Sequence, residues 1–443
     1  MEVVDAILDR VARVNPLVNA IVTLDTEGAR SAARASEARW RAGTTLGPLD
    51  GVPITVKDNI PVRGLRATWG SQLYADFVPG ADELPIARLR AAGVVILGKT
   101  NCPEFTLQGY TDNLLFGPTR NPWDLELTPG GSSGGAVAAV AAGFGPIAIA
   151  TDGGGSIRRP ASHTGLVGLK PSRGRVPRCD GFPTILLDFE TIGPITRTVD
   201  DLGVVMHAIS GYDSRDPTAV TFENRPFAVE STPRCRILYV PCFGESPVDA
   251  EIAASASAAA RVLEGLGHTV DVGGPPFDVD ALNRAWPVIS QVGLAWLMQS
   301  HGDYHGRVTS ALEEMANAGM SLTGTTYFAA LNTISALQRT LGVFFGSYDL
   351  LMTPTAAALP WPAAEPYPPK IAGQAVGVRG HAVFTAFANM GGCAGINIPC
   401  TPSANGLPIG FQLVGPTGCD GLLCAVAAQY ESTSPWANRR PPL

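Results

Sequence analysis

Two glycine-rich segments, each built around a serine, constrain this chain more than any other feature. They read Pro129-Gly-Gly-Ser-Ser-Gly-Gly135 and Thr151-Asp-Gly-Gly-Gly-Ser-Ile-Arg158, and they contain Ser132 and Ser156. Glycine permits backbone conformations that other residues avoid, and it lets amides approach a reacting group closely. A serine among such amides combines a nucleophile with a site that can stabilise an oxyanion. The two segments therefore predict chemistry at a carbonyl group.

A lysine upstream of both serines is a candidate base. Lys57 lies in Gly51-Val-Pro-Ile-Thr-Val-Lys-Asp-Asn59, directly after an apolar stretch that is typical of a buried strand. Burial disfavours the charged ammonium, so the amine can lose its proton and act as a base. Lys99 follows a second predicted strand and is the chief rival for this role. Together these features favour hydrolysis or transfer at an amide-like carbonyl.

Composition indicates a large folded chain and narrows the classes of partner. Of the 443 residues, 45% are apolar and 16% are charged, which is typical of a protein with a substantial core. The net charge of -7, without a basic block, argues against a nucleic-acid partner. Neither a signal peptide nor a membrane-spanning segment is expected. The cysteines form no Cys-x-x-Cys pair, which favours free thiols in a cytoplasmic protein. The spacing of His, Cys, Asp and Glu predicts no metal site, and no cofactor is expected.

Apolar periodicity alternates between helices and strands along the chain. This alternation predicts an α/β fold, a single large domain in which helices cover both faces of a central mixed β-sheet. A first helix is expected to stop at Asn15-Pro16, because proline cannot continue the hydrogen-bond ladder. The segment 285–345 is predicted to be mostly helical. Further helices are predicted over 26–43, 83–92, 136–142, 249–266 and 421–431, and strands over 52–56, 94–97, 146–150, 236–240, 269–273 and 409–414.

Two alternatives remain open from the residues alone. Gly130-Gly-Ser-Ser-Gly134 matches the G-x-S-x-G nucleophile elbow, which would make the chain a Ser-His-Asp α/β-hydrolase with Ser132 as nucleophile. However, turn residues in Leu125-Glu-Leu-Thr-Pro-Gly130 stand where the elbow requires a strand, and no later histidine has a convincing setting. The glycine run 151–158 could instead form an anion cradle, which would suit a non-enzymatic anion-binding protein.

The order and spacing of several motifs resemble the amidase signature family. The resemblance is dense over about 47–200, thinner over 346–431 and nearly absent over 210–345. It implies one amidase domain over 1–443, with a variable helical segment at about 210–345 that lines or covers the pocket. Beside the lysine and serine segments, the matching pieces are Gly98-Lys-Thr-Asn-Cys-Pro-Glu-Phe105, Asn121-Pro-Trp-Asp124, Gly165-Leu-Val-Gly-Leu-Lys-Pro-Ser172, Gly193-Pro-Ile-Thr-Arg197, Tyr348-Asp-Leu-Leu-Met-Thr-Pro-Thr355 and Gly406-Leu-Pro-Ile-Gly-Phe-Gln412.

The resemblance implies a Ser-cisSer-Lys catalytic set. Ser156 matches the nucleophile of the family, which forms the acyl-enzyme. Ser132 matches the serine that follows a cis peptide bond and relays the proton, and Lys57 matches the base. Lys99 falls in a family segment that does not supply the base.

Further site residues are predicted around these three. Leu107 matches a position that lines the substrate pocket in family members. Ser133 and Arg158 are expected to support the catalytic loops. The family's oxyanion hole is matched by the backbone amides of Gly153, Gly154 and Gly155.

Two enzymatic functions are compatible with the resemblance. One is a free-standing amidase that hydrolyses small apolar or aryl amides, and by extension carbamates or esters. The other is the glutamine amidotransferase subunit of a tRNA-dependent complex. The apolar run Gly181-Phe-Pro-Thr-Ile-Leu-Leu187 and the Trp/Met/Phe-rich segment 285–345 favour an apolar substrate over glutamine. The expected partner is therefore a small-molecule amide, and the expected state is a monomer or homodimer without nucleic acid or membrane.

Overall fold

The computed structural model describes residues 1–229 and 234–443, and its helices and strands alternate along most of the chain. The helices are α1 (Glu2–Val18), α2 (Thr26–Ala42), α3 (Leu84–Ala91), α4 (Gly134–Ala141), α5 (Arg158–Thr164), α6 (Val199–Ile209), α7 (Ala250–Gly265), α8 (Val279–His301), α9 (Ser310–Met320), α10 (Gly324–Phe344), α11 (Ala386–Met390) and α12 (Asp420–Thr433). The strands are β1 (Ile21–Leu24), β2 (Pro53–Lys57), β3 (Val95–Thr100), β4 (Ile147–Asp152), β5 (Val167–Lys170), β6 (Ile185–Asp188), β7 (Thr191–Thr196), β8 (Arg236–Tyr239), β9 (Thr269–Val272), β10 (Leu350–Pro354), β11 (Lys370–Ile371), β12 (Gln374–Ala375), β13 (Ala394–Pro399) and β14 (Gly410–Gly415).

One mixed sheet forms the centre of the molecule. Within the described residues it has eleven strands, in the order β1-β3-β2-β4-β7-β5-β13-β14-β10-β8-β9. β2 is parallel to β3 and β4, and β8 is parallel to β9 and β10. The remaining neighbours are antiparallel. β11 and β12 form a separate two-stranded hairpin.

Helices cover both faces of this sheet, as the alternation of apolar residues along β4 shows. Ile147 and Ile149 join a core cluster with residues of α3, α6, α7 and α12. Ala148 and Ala150, which point to the opposite face, pack against α4 and α5. The predicted α/β fold with a central mixed sheet is confirmed.

The first helix extends beyond its predicted end. α1 contains Pro16 and ends at Val18, where Asn19 takes a left-handed conformation with φ of 50°. The Asn19 amide donates to the carbonyl of Asn15, and Asn15 Oδ1 accepts from the amides that follow the helix. Proline has no amide N–H, so Pro16 removes only one backbone hydrogen bond near the end of the helix. The bonds of Asn15 and Asn19 compensate for this loss.

The segment 285–345 is helical, as predicted, and forms a layer over one part of the sheet. α8 packs closely against α9, α10 and β6, and its inward face belongs to a second core cluster. Trp286 and Met298 are buried in this cluster. Among the described residues, no helix has both the length and the apolar character needed to cross a membrane.

Candidate active site

Three segments that carry the predicted catalytic residues meet where β2 and β4 end. Since these strands are parallel neighbours, their carboxyl ends at Lys57 and Asp152 lie at the same edge of the sheet. α4 leads back into β4 through a short turn, so its amino end, which follows Ser132, also lies at this edge. The glycine segment after β4 then presents Ser156 just before α5 begins.

The buried amine of Lys57 contacts Ser132 directly. Lys57 Nζ lies 2.7 Å from Ser132 Oγ and 3.0 Å from Thr151 Oγ1, and the lysine side chain is fully buried. Burial lowers the pKa of Lys57 from 10.5 to about 8, although the charges of Glu190 and Asp152 oppose this shift. With such a pKa a fraction of the molecules carries a neutral amine near neutral pH. The neutral amine can accept a proton from Ser132.

Lys99 is also buried, but it lies in a different environment. Its Nζ donates to the carbonyl of Ile60 at 2.7 Å and to that of Asp58 at 3.3 Å. It also lies 3.8 Å from the Asp58 carboxylate. These contacts hold the turn that follows β2. Of the two lysines weighed from the sequence, the structure therefore places Lys57 beside the serine.

The loop that carries Ser132 is bonded to the loop that carries Ser156. The peptide bond between Gly131 and Ser132 is cis, the conformation that the resemblance implied. The Ser133 amide donates to the Ser156 carbonyl at 3.2 Å, and the Ser133 hydroxyl donates to the Thr151 carbonyl at 3.1 Å. These contacts fit the supporting position predicted for Ser133.

The nucleophile-elbow interpretation of Ser132 does not fit this geometry. An elbow requires a strand that runs directly into the serine. Here β3 ends at Thr100, and the segment between it and Ser132 consists of loops and one short 3₁₀ helix, Glu104–Thr106. The serine hydroxyl is bonded to Lys57 and not to a histidine.

Ser156 lies at the surface of a cavity of about 400 Å³ that Gly153 and Gly154 also line. Its side chain is nearly buried, so the cavity is the route by which a substrate could reach it. In the described parts of the chain, the amides of Gly153, Gly154 and Ser156 have no hydrogen-bond partner. They are therefore free to donate to an oxyanion at this position.

The amide of Gly155 differs from its predicted role as an oxyanion donor. It already donates to Asp152 Oδ1 at 2.6 Å, so it holds the turn instead of facing the cavity. The φ of Gly155 is 115°, and a Cβ added there would lie 2.2 Å from Thr385 Oγ1. Glycine is therefore required at this position for the turn itself.

Arg158 holds the same turn from inside the protein. Both Arg158 and Asp152 are fully buried, and two guanidinium nitrogens donate to the Asp152 carboxylate at 3.0 Å each. Although burial alone would raise the pKa of Asp152, the charge of Arg158 holds it well below its usual range. Further bonds from this guanidinium reach Gln412, Asn389 and the carbonyl of Thr385. These contacts fit the supporting role predicted for Arg158.

Several residues of the site were not identified from the sequence. The Thr385 hydroxyl donates to the Gly154 carbonyl at 2.7 Å, and the Asn389 amide nitrogen donates to the Asp152 carbonyl at 2.7 Å. Both lie near α11, in the part of the chain where the motif pattern is thin. Arg379 and His381, from the same region, line the cavity.

The cavity has an apolar side, which includes some of the residues singled out from the sequence. Leu107 is among them, as its position in the family pattern implied. The apolar lining residues are Leu107, Leu186, Trp286, Ala311, Leu312, Met315, Pro366, Val378 and Ala382. Met298 is instead part of the helical core, and the side chains of Trp296 and Phe328 are exposed. The last three therefore do not contribute to an apolar pocket.

The family model for amidases matches residues 2–424. The chain belongs to the amidase family. This match confirms the resemblance to the amidase signature enzymes, and it supports hydrolysis of amide carbon–nitrogen bonds. It also excludes the α/β-hydrolase interpretation. Among the described residues, no group of three or more His, Cys, Asp or Glu side chains could hold a metal ion.

Similar amidase-family proteins include both kinds of enzyme considered above. A glutamyl-tRNA(Gln) amidotransferase subunit of Moorella thermoacetica is 36% identical, over 100% of this chain and 95% of its own length. An acylamidase of Rhodococcus erythropolis is 35% identical, over 99% of this chain and 93% of its own length. The crystal structure of a bacterial aryl acylamidase superposes with a TM-score of 0.90 at 30% identity, and covers 100% of this chain and 95% of the other.

Proposed function

We propose that this amidase-family chain hydrolyses the linear carbon–nitrogen bond of a small amide through an acyl-enzyme on Ser156. The observation that carries the proposal is the buried Lys57 amine, 2.7 Å from Ser132 Oγ, beside the cavity that Ser156 lines. Ser156 is the nucleophile, Ser132 the proton relay and Lys57 the base. The same chemistry extends to esters and carbamates, whose carbonyls are open to the same attack.

The proposed mechanism has two stages that use the same relay. Neutral Lys57 takes the proton of Ser132, Ser132 takes the proton of Ser156, and the Ser156 oxygen attacks the carbonyl. The proton then passes back through Ser132 to the leaving amine as the carbon–nitrogen bond breaks. In the second stage water gives up a proton to the relay and attacks the ester, which releases the acid and restores Ser156.

The backbone amides of Gly153, Gly154 and Ser156 stabilise the oxyanion in this proposal. They line the cavity without a partner among the described residues, whereas Gly155 is already bonded to Asp152. Fixed amides cost no reorganisation when charge develops, and one such donor is typically worth about 10²–10³ in rate. The Arg158–Asp152 pair keeps these amides in place because it holds the turn from inside the protein.

The rate is expected to rise with pH through the pKa of Lys57. A protonated lysine cannot accept the Ser132 proton, and burial lowers this pKa to about 8. We expect kcat/KM to rise about tenfold per pH unit below about pH 8 and to level off above it. The measurement uses a neutral anilide, which does not titrate itself, at constant ionic strength. A flat or falling profile over the same range would contradict Lys57 as base.

We propose apolar or aryl amides as the substrate class. The apolar side of the cavity and the similarity to acylamidases support this choice. An acetanilide-type amide is expected to show a kcat/KM at least about tenfold above that of glutamine, because aromatic surface is buried on binding. Aniline and ammonia release would be followed on one enzyme preparation without partner chains. A clear preference for glutamine would contradict the proposal.

The second candidate function is that of a glutamine amidotransferase subunit. The 36% identity to such a subunit over the whole chain is the observation that favours it. It predicts ammonia release from glutamine that depends on added partner subunits. Turnover of anilides by the isolated chain would favour the first function.

The remaining proposals concern organisation. We propose that residues 1–443 act as one amidase domain, in which the variable segment 210–345 supplies one wall of the cavity. Trp286, Leu312 and Met315 of that segment line it. We further propose a cytoplasmic monomer or homodimer that needs neither nucleic acid nor membrane.

A further inference from the structure

A buried arginine beside the nucleophile has no counter-ion among the described residues. Arg159 is 5% exposed and lines the cavity, three residues after Ser156. Its Nη2 donates to the Gly131 carbonyl at 3.3 Å, while Nε and Nη1 have no partner among the described residues. No ion pair to Arg159 is formed within the described parts of the chain. Since a buried charge without a partner is costly, this guanidinium indicates a site where an anionic group can bind.

The neighbouring arginine of the same turn, Arg158, has hydrogen-bond acceptors for its whole guanidinium group. Arg158 is equally buried, but all three of its guanidinium nitrogens have acceptors, among them the Asp152 carboxylate. The Asp152 carboxylate therefore pairs with Arg158 and not with Arg159. The Arg158–Asp152 pair holds the turn, so the turn does not need an ion pair to Arg159.

Two more side chains add positive or hydrogen-bonding character to the same side of the cavity. The Arg379 guanidinium lies over the Trp286 ring, 4.8 Å from its centroid, and makes no ion pair in the described residues. His381 is 3% exposed, and both of its ring nitrogens lack a partner among those residues. Burial and, next, the charge of Arg379 lower the pKa of Arg159 to about 9. The charge of each arginine therefore makes the charge of the other more costly, and a bound anion would offset this cost.

The cavity offers no comparable site for a cation. Of the described residues that line it, only Glu314 is acidic, and its side chain is exposed. An ammonium group on a bound molecule would meet two arginines and no buried carboxylate. A free amino acid such as glutamine, which carries both charges, therefore fits this lining less well than a molecule that is only anionic.

We propose that Arg159, assisted by Arg379, binds a carboxylate that the amide substrate carries within a few bonds of its scissile carbonyl. This inference rests on the proposed function for the statement that the ligand is a substrate. Arg159 is bonded to the Gly131 carbonyl, directly before Ser132, so an anion on its free nitrogens lies close to the reacting group. The substrate class is then an amide with one apolar or aryl part and one carboxylate, as in the monoanilide of a short dicarboxylic acid or an acylated aminobenzoate.

Arg159 changes the substrate class that composition alone predicts. The aromatic and aliphatic residues alone predict a purely apolar substrate, but Arg159 lines the same cavity and has no ion-pair partner among the described residues. An apolar amide without a carboxylate would leave Arg159 buried and uncompensated. Binding of an anion removes this cost, which an apolar isostere cannot do.

Two matched pairs of amides test the proposal. In the first, the carboxylate of succinic mono-4-nitroanilide is replaced by the isopropyl group of 4-methylpentanoyl-4-nitroanilide. In the second, N-propionyl-2-aminobenzoate is compared with N-propionyl-2-methylaniline. The wild-type enzyme is expected to prefer the carboxylate member of at least one pair by about 10–100-fold in kcat/KM. In Arg159→Gln this ratio is expected to fall to about 1–3, whereas the surface change Arg284→Gln on α8 should keep it. Equal kcat/KM in both wild-type pairs, or a ratio that Arg159→Gln retains, would overturn the proposal.

A binding measurement separates failure of this proposal from failure of the proposed function. Calorimetry on Ser156→Ala would compare succinic mono-4-nitroanilide with its isopropyl isostere, without any need for turnover. We expect the carboxylate compound to bind at least about tenfold more tightly, and the difference to vanish in Ser156→Ala/Arg159→Gln. Equal binding, or no binding of either compound, overturns the carboxylate site even if neutral anilides are hydrolysed. If Arg159→Gln does not fold, two results still test the carboxylate site. The first is the wild-type preference for the carboxylate member of each pair, and the second is a lower preference in Arg379→Gln.

Discussion

Replacing Ser156 with alanine is expected to lower kcat for any amide substrate by about 10⁴–10⁶-fold, because it removes the oxygen that forms the acyl-enzyme. The side chain contacts the cavity and is small, so the fold should be retained. Single-turnover hydrolysis of an anilide by wild-type and variant protein measures the loss. Covalent labelling by a serine-directed fluorophosphonate should disappear with it.

The location of the label provides the sharper result. Mass spectrometry of the labelled wild-type protein should place the phosphonate on Ser156. A label on Ser132 would show that the roles of the two serines are reversed. The surface variant Ser300→Ala, which makes the same chemical change far from the cavity, should be labelled and should react like the wild type.

Replacing Lys57 with methionine is expected to lower kcat by about 10³–10⁴-fold, since the relay loses the group that accepts its proton. Methionine has a similar length and carries no charge, so it can fill the buried site without an unpaired ammonium. The variant should keep the wild-type melting temperature within a few degrees. Activity would be measured on a neutral anilide across the pH range in which the wild-type rate rises.

Two other lysines provide the controls for this change. Lys370→Met alters an exposed lysine and should leave the rate unchanged. Lys99→Met removes the bonds to Asp58 and Ile60, so it should reduce stability more than chemistry. Near-normal turnover by Lys57→Met, together with loss of turnover by folded Lys99→Met, would show that Lys99 is the base.

Many helices and strands could be predicted because their signals are local, whereas β1, β5, β7, β13 and α6 were not predicted. The helix over 249–266 and the strands over 236–240 and 269–273 match α7, β8 and β9 within one or two residues. In each case apolar periodicity and end signals act within a few residues of one another. Two predicted ends were wrong: α1 continues through Pro16 because Asn15 and Asn19 cap the helix beyond the proline, and β3 continues to Thr100, beyond the predicted 94–97.

The candidate catalytic residues were predicted from the resemblance of their motifs to the amidase signature family, whereas the residues alone left the nucleophile elbow and the anion cradle open. Lys57, Ser132 and Ser156 lie in short motifs, and the resemblance implied a role for each of them. What the motifs could not decide was how each backbone amide is used. Gly155 was predicted to donate to the oxyanion, but its amide is bonded to Asp152, and that choice depends on the exact path of the turn.

The sequence by itself determined the fold class, the family and the three residues of the proposed catalytic set. Only the tertiary structure placed Arg379 and His381 in the same cavity as Arg159, and turned Trp296 and Phe328 towards solvent. Residues separated by more than two hundred positions meet through the packing of α11 and α8 against the sheet, and no local pattern encodes that packing. Periodicity identifies a helix, but the neighbours that pack against it decide which of its faces is buried. The charge of the cavity, and with it the substrate we propose, therefore became visible only in three dimensions.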